Sequence, residues 1–224
     1  MSEAKKHLAE AAANLVESGS IVGLGTGTTA SFFIESLAKR CEKSLAIKAI
    51  ASSNASEALA KKLNIDLIDI DKIDHIDIYI DGADEVDQKK QMIKGRGAAL
   101  LKEKILAKFS KKTIIMIEEK KRVNKLGKVL LPVEVVAFAS NLTKLELEKL
   151  GYHSDYRRDE KGNFLLTDNK NYILDLKLSH LLDDPDLAHK NIISIPGVIE
   201  TGLFIDLADT VIVANEKAEL EFIS

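Results

Sequence analysis

The stretch Ile76–Phe109, IDIYIDGADEVDQKKQMIKGRGAALLKEKILAKF, runs from an apolar segment through a cluster of charges into a helical pattern. The apolar residues from Ile76 to Ile80 predict a strand buried on both faces, and Asp81-Gly82 predicts an abrupt turn after it. Because open α/β sheets bind ligands outside the carboxyl ends of their strands, Asp81 and Asp84 are candidates for chemistry. The alternative is a purely structural turn or helix cap, for which Asp and Gly are common residues.

The second half of this stretch predicts a glycine-containing turn followed by a helix. Lys94-Gly95-Arg96-Gly97 combines two glycines, which free the backbone for close approach to a ligand, with two cations. Helical spacing then predicts a helix over 98–109 with Ala98, Leu101, Ile105 and Phe109 as its apolar face. Glu103 has no cation three or four residues away. It is either a solvent-facing acid or a partly desolvated acid with a raised pKa, as a general base needs.

Composition indicates a globular protein that acts on a small molecule. The 224 residues are 46% hydrophobic and 30% charged, with a net charge of −3, which gives no footprint for nucleic acid. No apolar run reaches the roughly 18 residues of a membrane span, and the N-terminus predicts a charged amphipathic helix rather than a signal peptide. The single Cys41 fits a reducing cytoplasm. Because the five histidines lack metal-ligand spacing, we expect metal-independent chemistry.

A second candidate site lies near the N-terminus. A helix is predicted from Glu3 to Ser18, and the strand 21–24 runs into Gly25-Thr26-Gly27-Thr28-Thr29 and another helix. A strand, a glycine-rich turn and a helix N-terminus together present backbone N–H groups to an anion, which indicates a phosphate-binding loop. The Gly-Lys-Ser/Thr ending of a Walker loop and the third glycine of a dinucleotide fingerprint are both missing. A tight structural turn would favour similar residues.

The remaining pattern alternates strands and helices. Strands are predicted at 47–51, 65–70 and 113–117, and a helix capped by Ser52, Ser53 or Asn54 is predicted to end near Leu63. The expected fold is an open, mostly parallel, Rossmann-like sheet flanked by helices. We predict that residues 1–128 and 204–224 form this main α/β domain, with 210–214 as its returning strand, and that 129–203 form a small α+β, ferredoxin-like domain.

Five blocks of sequence resemble the ribose-5-phosphate isomerase family of type A. They are Gly23-Leu24-Gly25-Thr26-Gly27-Thr28-Thr29-Ala30, Asp81-Gly82-Ala83-Asp84-Glu85, Lys94-Gly95-Arg96-Gly97-Ala98-Ala99-Leu100, Leu126-Gly127-Lys128 with Leu131-Pro132-Val133-Glu134-Val135, and Pro196-Gly197-Val198 with Gly202-Leu203-Phe204. Together they span nearly the whole chain in order. The resemblance implies a cytoplasmic, metal-free and cofactor-free homodimer, or a tetramer, that interconverts ribose 5-phosphate and ribulose 5-phosphate in the non-oxidative pentose phosphate pathway.

The resemblance also assigns roles to residues of this chain. Glu103 would be the proton acceptor, with Asp81, Asp84 and Lys94 as further catalytic groups. Substrate contacts would fall at Thr26, Gly27, Thr28 and Thr29, at Asp81, Gly82, Ala83 and Asp84, at Lys94, Gly95, Arg96 and Gly97, and at Lys121. The segment before Lys121 departs from the family's Asp-x-Ser-Lys, since it reads Glu118-Glu119-Lys120. Either Lys120 or Lys121 could therefore be the contacting cation, and Lys121 is favoured because its distance from Leu126-Gly127-Lys128 matches the family's spacing.

Two functions of other classes remain compatible with the residues alone. A sugar-phosphate sensor domain could use the same loops without turnover, although no basic helix-turn-helix segment is evident. An acyl-CoA transferase could use a glutamate as its nucleophile, although it would need room for a much larger ligand.

Overall fold

The computed structural model of the protein describes residues 3–224. The helices are α1 Glu3–Asn14, α2 Thr28–Glu42, α3 Asn54–Lys62, α4 Leu100–Lys108, α5 Ser140–Lys149 and α6 Pro185–Ile193. The strands are β1 Ile21–Leu24, β2 Lys48–Ala51, β3 Ile78–Gly82, β4 Glu85–Val86, β5 Met92–Ile93, β6 Thr113–Glu118, β7 Leu131–Val135, β8 His153–Tyr156, β9 Tyr172–Lys177, β10 Val198–Thr201, β11 Leu203–Phe204, β12 Thr210–Ala214 and β13 Leu220–Ile223. Short 3₁₀ turns lie at Ile70–Lys72 and Glu119–Lys121. Within the described part of the chain, no helix is both long and apolar enough to cross a membrane.

Contacts within the chain divide the described residues into two compact units. Unit 1 contains residues 3–83, 102–122 and 207–224, and unit 2 contains residues 84–101 and 123–206. The predicted division into a main α/β domain of residues 1–128 and 204–224 and a small α+β domain of residues 129–203 stays a prediction. The contact grouping differs from it chiefly at 84–101, which joins unit 2 because β4 pairs with β5 and β5 pairs with β11.

Unit 1 is built on a six-stranded sheet in the order β13-β12-β6-β3-β1-β2. Neighbouring strands from β2 to β12 are parallel, and the edge strand β13 is antiparallel to β12. The inner strands are nearly continuous apolar runs, as expected for parallel strands buried on both faces. Their side chains pack with those of α1 and α2, including Leu8, Phe33 and Leu37.

The strand order of unit 1 reverses between β1 and β3. The chain moves from β1 outward to β2, then crosses to the other side of β1 to form β3, β6 and β12 in succession. Because these strands are parallel, their carboxyl ends share one edge of the sheet. Ligands of open α/β sheets bind outside that edge at the point of reversal, which in this chain is occupied by the segments that follow β1 and β3.

Unit 2 contains a four-stranded antiparallel sheet in the order β10-β7-β9-β8. The elements β7, α5, β8, β9, α6 and β10 follow one another along the chain, which is the βαββαβ order of the ferredoxin-like fold. Apolar side chains of the sheet and of α6, including Val133, Leu174 and Ile192, form its core. Strands β11, β5 and β4 form a separate small antiparallel sheet.

The predicted fold class is confirmed, but one predicted strand is absent and one predicted helix is shorter than expected. The predicted strand at 65–70 is absent: Leu67 makes only an isolated bridge to Ala49, and the Asp69 side chain accepts from the Asp71 amide and caps a 3₁₀ turn. Helix α1 ends at Asn14 rather than Ser18. There Arg40 Nη1 donates to the carbonyl of Val16 at 2.8 Å and also to that of Ala13, which replaces helical hydrogen bonds.

Candidate functional site

The candidate residues are divided between the two units. Unit 1 carries the loop at Thr26–Thr29, the carboxylates of Asp81 and Glu103, and Lys121. Unit 2 carries Asp84 and the segment 94–97.

The glycine-rich loop after β1 is fixed by serines that follow β2. Thr26 Oγ1 lies 2.6 Å from Ser52 Oγ, and Ser56 Oγ donates to the carbonyl of Gly25 at 2.6 Å. Gly27 adopts φ 97°, a conformation that favours glycine, and α2 begins at the next residue. The loop therefore places the N-terminus of a 15-residue helix at the carboxyl edge of the sheet, where its first N–H groups have no helical acceptor.

Asp81 is buried at the end of β3, and donors reach both of its carboxylate oxygens. The amides of Thr26 and Gly82 donate to Oδ1 at 3.0 and 2.7 Å, and the Tyr79 hydroxyl donates to Oδ2 at 2.5 Å. The side chain has 0% exposure. These donors satisfy both carboxylate oxygens and so offset the cost of burying the side chain. The structure thus holds Asp81 in one orientation, which a simple turn residue would not need.

Two glycines of β1 and its loop make room for residues of β3. A Cβ at Gly25 would lie 2.2 Å from the Asp81 carboxyl carbon, and a Cβ at Gly23 would lie 2.7 Å from a Tyr79 ring carbon. Neither glycine has a positive φ, so side-chain volume rather than backbone conformation excludes other residues there. Close packing against β3 therefore explains why residues 23 and 25 are both glycine.

Glu103 lies on the buried face of α4. Its exposure is 2%, and Leu100, Leu106 and Ala107 are buried with it, whereas Ile105 and Phe109 are 40% and 64% exposed. The predicted apolar face was therefore wrong, because the true inward face is centred on the carboxylate. Of the two interpretations that the helical pattern left open, the solvent-facing one is excluded.

Burial and the charges of Asp81 and Glu103 all act on the pKa of the Tyr79 phenol. Burial raises the pKa of Tyr79 well above its usual value, and the charges of Asp81 and Glu103 raise it further. Its hydrogen bond to Asp81 adds to the same shift. Tyr79 is therefore a neutral hydrogen-bond donor at any physiological pH.

Of the two lysines after β6, Lys121 faces the loop that follows β3. Its Nζ donates to the carbonyl of Ala83 at 2.6 Å. Lys120 instead pairs with Glu118 at 3.1 Å and its side chain is 75% exposed. The geometry favours Lys121 as the cation near Asp81–Ala83.

In unit 2 the segment 94–97 forms a tight turn next to Asp84. The amide of Lys94 donates to the carbonyl of Gly202 at 2.9 Å, and the amide of Arg96 donates to Asp84 Oδ2 at 3.2 Å. The Lys94 side chain is 3% exposed, with Nζ 5.3 Å from the centre of the Phe204 ring. The structure thus brings Asp84 and this turn together.

Sequence reasoning missed two residues at these positions. Tyr79 could have been found, since residues two apart on a strand face the same side and Asp81 was already a candidate. Lys5 had no such signal: its Nζ donates to Thr28 Oγ1 at 3.1 Å, a contact that depends on how α1 packs beside the loop. Among residues 3–224, no group of three or more His, Cys, Asp or Glu side chains is arranged to hold a metal ion.

The fold and these residues define a class: an α/β protein with a glycine-rich loop at a helix N-terminus and a buried carboxylate, Asp81, at the edge of the sheet where such proteins bind ligands. Residues 48–218 match the family model described as ribose 5-phosphate isomerase A (phosphoriboisomerase A). The chain belongs to this family.

Individual relatives agree with the family model over almost the full length. The chain is 42% identical to ribose-5-phosphate isomerase A of Protochlamydia amoebophila over 222 residues, which cover 99% of this chain and 96% of the relative. Its structure matches the ribose 5-phosphate isomerase of Plasmodium falciparum with a TM-score of 0.96 and 31% identity, covering 100% and 99% of the two chains. It also matches a D-ribose-5-phosphate isomerase in complex with phospho-erythronic acid, with a TM-score of 0.94, 35% identity and coverage of 99% and 98%.

Proposed function

We propose that this aldose–ketose isomerase interconverts ribose 5-phosphate and ribulose 5-phosphate with Glu103 as the base. The observation that carries the assignment of the base is the burial of Glu103, whose charge acts on the Tyr79 phenol together with that of Asp81. A desolvated carboxylate on a rigid helix is suited to accept a proton from carbon. The comparisons support neither a sensor domain nor an acyl-CoA transferase.

The reaction requires two proton movements, and the residues can be assigned to them. Glu103 takes the proton from C2 of the open-chain aldose, which leaves an enediolate, and returns it to C1 to form the ketose. Meanwhile O1 gains a proton and O2 loses one. We assign Asp81, together with Asp84, to these hydroxyl protons and to opening of the furanose ring, and Lys94 to stabilising the oxyanion.

The substrate phosphate is assigned to the Thr26–Thr29 loop. Backbone N–H groups at the start of α2, the threonine hydroxyls and the ammonium of Lys5 all favour an anion there. Binding energy from this unreacting group can orient C1 and C2 at the base. The phospho-erythronic acid of the related complex fits this division, since it joins a phosphate to a planar carboxylate that resembles an enediolate in shape and charge.

Glu103→Gln tests the assignment of the base, because it keeps the side-chain volume and removes the basicity. We expect kcat to fall about 10²–10⁴-fold, the usual contribution of a positioned general base, with a much smaller change in KM. Exchange of the substrate C2 hydrogen with solvent deuterium, followed by NMR, should fall in parallel.

Glu134→Gln is the matched control, since Glu134 is an equally buried glutamate at 0% exposure whose Oε1 accepts from Thr167 and Asn171 at 2.9 Å. It should lower stability and leave kcat of the folded enzyme unchanged. If Glu103→Gln kept wild-type kcat while Asp81→Asn abolished exchange, the base would have to be reassigned to Asp81.

The proposal extends to a homodimer that works in the cytoplasm. The family resemblance supports a dimer, and large apolar side chains on unit 2, including Phe138 at 88% exposure, are available for an interface. A tetramer is the alternative, and light scattering of the purified protein separates the two. The single, half-buried Cys41 is compatible with a reducing compartment.

A further inference from the structure

Arg157 lies at the end of β8 and uses all of its nitrogens within unit 2. Nε donates to Asp175 Oδ2 at 2.8 Å, and Nη2 donates to Asp175 Oδ1. The remaining nitrogen, Nη1, donates to the carbonyls of Gly95 and Arg96 at 2.8 and 2.9 Å. This is a bidentate ion pair on one side of the guanidinium and two successive peptide carbonyls on the other.

The guanidinium is itself held firmly in place. The side chains of Arg157 and Asp175 are 15% and 16% exposed, so their ion pair is largely shielded from solvent. The Arg157 amide donates to the carbonyl of Ile173, and its carbonyl accepts from the Leu165 amide, both at 2.9 Å. Arg157 is therefore a fixed point to which the turn at 94–97 is attached.

Holding a carbonyl also sets the direction of the N–H in the same peptide. In a planar trans peptide the C=O and N–H bonds point in opposite directions. Arg157 binds the carbonyls of Gly95 and Arg96, so the amides of Arg96 and Gly97 are directed away from it. The Arg96 amide accordingly donates to Asp84 Oδ2. One side chain thus orients two donors of this turn, and Gly95, at φ 107°, has no Cβ to stiffen it.

We propose that Arg157 is a positioning residue of the isomerisation: it fixes two peptide planes of the 94–97 turn, and thereby the Arg96 N–H that holds Asp84 and the Gly97 N–H that the turn presents to substrate. This inference rests on the proposed function, in which Asp84 moves hydroxyl protons and Lys94 stabilises the oxyanion. This assigns the ferredoxin-like sheet a role in catalysis, because Arg157 directly follows β8 and Asp175 lies in β9.

The chain offers an adjacent control residue. Arg158 has the same side chain, but its Nη1 donates to the carbonyl of Gly162 and its guanidinium lies 4.9 Å from the centre of the Phe164 ring, away from the 94–97 turn. Arg157→Lys and Arg158→Lys therefore make the same chemical change one residue apart. Lysine keeps the charge but cannot bind Asp175 bidentately while also reaching two carbonyls.

The experiment compares steady-state kinetics and thermal midpoints of Arg157→Lys, Arg157→Ala, Arg158→Lys and Arg158→Ala with those of the wild type. Misplacement of a reacting group by about 1 Å can cost on the order of 10²-fold, so we expect Arg157→Ala to lower kcat about 10- to 100-fold in the folded enzyme. Its KM should change less than about threefold, because the phosphate loop is unaltered. Both Arg158 variants should keep wild-type kcat.

Chemical rescue separates positioning from a purely structural role. Guanidinium ion at low millimolar concentration should raise kcat of Arg157→Ala at least about threefold and leave Arg158→Ala unchanged. Asp175→Asn should lower kcat in the same direction, and its effect should be less than additive with Arg157→Ala.

Wild-type kcat and KM in folded Arg157→Ala and Arg157→Lys would overturn the inference, as would a loss of thermal stability with no change in kcat. The proposed function fails in a different way, through an inactive wild type or an active Glu103→Gln variant. The two failures are therefore distinguishable in one set of assays.

Discussion

Tyr79→Phe removes a single oxygen and with it the hydrogen bond between the Tyr79 hydroxyl and Asp81. The ring packs with Ile76, Leu106 and Ala107, and phenylalanine keeps that packing. The lost bond joins the Tyr79 hydroxyl to Asp81 Oδ2 at 2.5 Å in a fully buried setting. A hydrogen bond to a charged group contributes about 1.5–3 kcal/mol. For a chain of 224 residues, where 1 kcal/mol corresponds to roughly 2–4 °C, the thermal midpoint should fall by about 3–12 °C.

The matched control is Tyr156→Phe, whose hydroxyl donates to the neutral Ser140 Oγ at 2.9 Å. Removing that bond should cost only about 0.5–1.5 kcal/mol and leave kcat unchanged. Tyr79→Phe, by contrast, loosens Asp81 and should lower kcat about tenfold, with KM changed less than threefold. Differential scanning calorimetry and initial-rate kinetics on both variants provide the comparison.

The alkaline limb of the stability curve gives an independent measurement. The pKa of Tyr79 in the folded protein is raised above the usual value of 10.0. Above about pH 10 the unfolded phenol loses its proton while the folded one keeps it, so this group's contribution to the unfolding free energy falls by up to ~1.4 kcal/mol per pH unit. Tyr79→Phe should remove that part of the slope. An equal slope in wild type and variant, together with a loss no larger than that of Tyr156→Phe, would refute this account.

Two further predictions concern the glycine-rich loop. Gly25→Ala should destabilise the fold by about 3 kcal/mol or more, because a Cβ 2.2 Å from the Asp81 carboxyl must break charge-assisted hydrogen bonds. Gly82→Ala is the control: its Cβ would lie 3.6 Å from the nearest atom, so it should cost under about 1 kcal/mol. Urea unfolding of both variants measures the two free energies. Thr28→Val should raise KM for ribose 5-phosphate about 10-fold and hardly affect turnover of unphosphorylated ribose, since it removes a hydroxyl and the Lys5 contact from the proposed phosphate loop. Equal effects of Thr28→Val on both sugars would show that the loop is only a structural turn.

The sequence determined which parts of the chain become strands and which become loops near the site. Buried parallel strands such as β3 and β6 require continuous apolar runs, and these are visible without any tertiary information. Gly27 and Gly95 mark places where the backbone needs φ values of 97° and 107°. Asp184 and Pro185 likewise predict the start of α6, because a capping aspartate and a proline in the first helical turn are local signals. Such signals depend on a few neighbouring residues, so a single sequence is enough to read them.

The tertiary structure decided which side chains of those elements face inward and which distant residues meet. Helical spacing predicted that Ile105 and Phe109 face inward, yet α4 buries Glu103 instead. The rotation of a helix about its own axis is set by the elements that pack against it and not by its own pattern. The contact of Lys5 with Thr28 and that of Arg157 with Gly95 join residues far apart in sequence, and long flexible side chains carry no local signal of their partners. Their positions follow from packing of the whole core, which is a cooperative property of the folded chain.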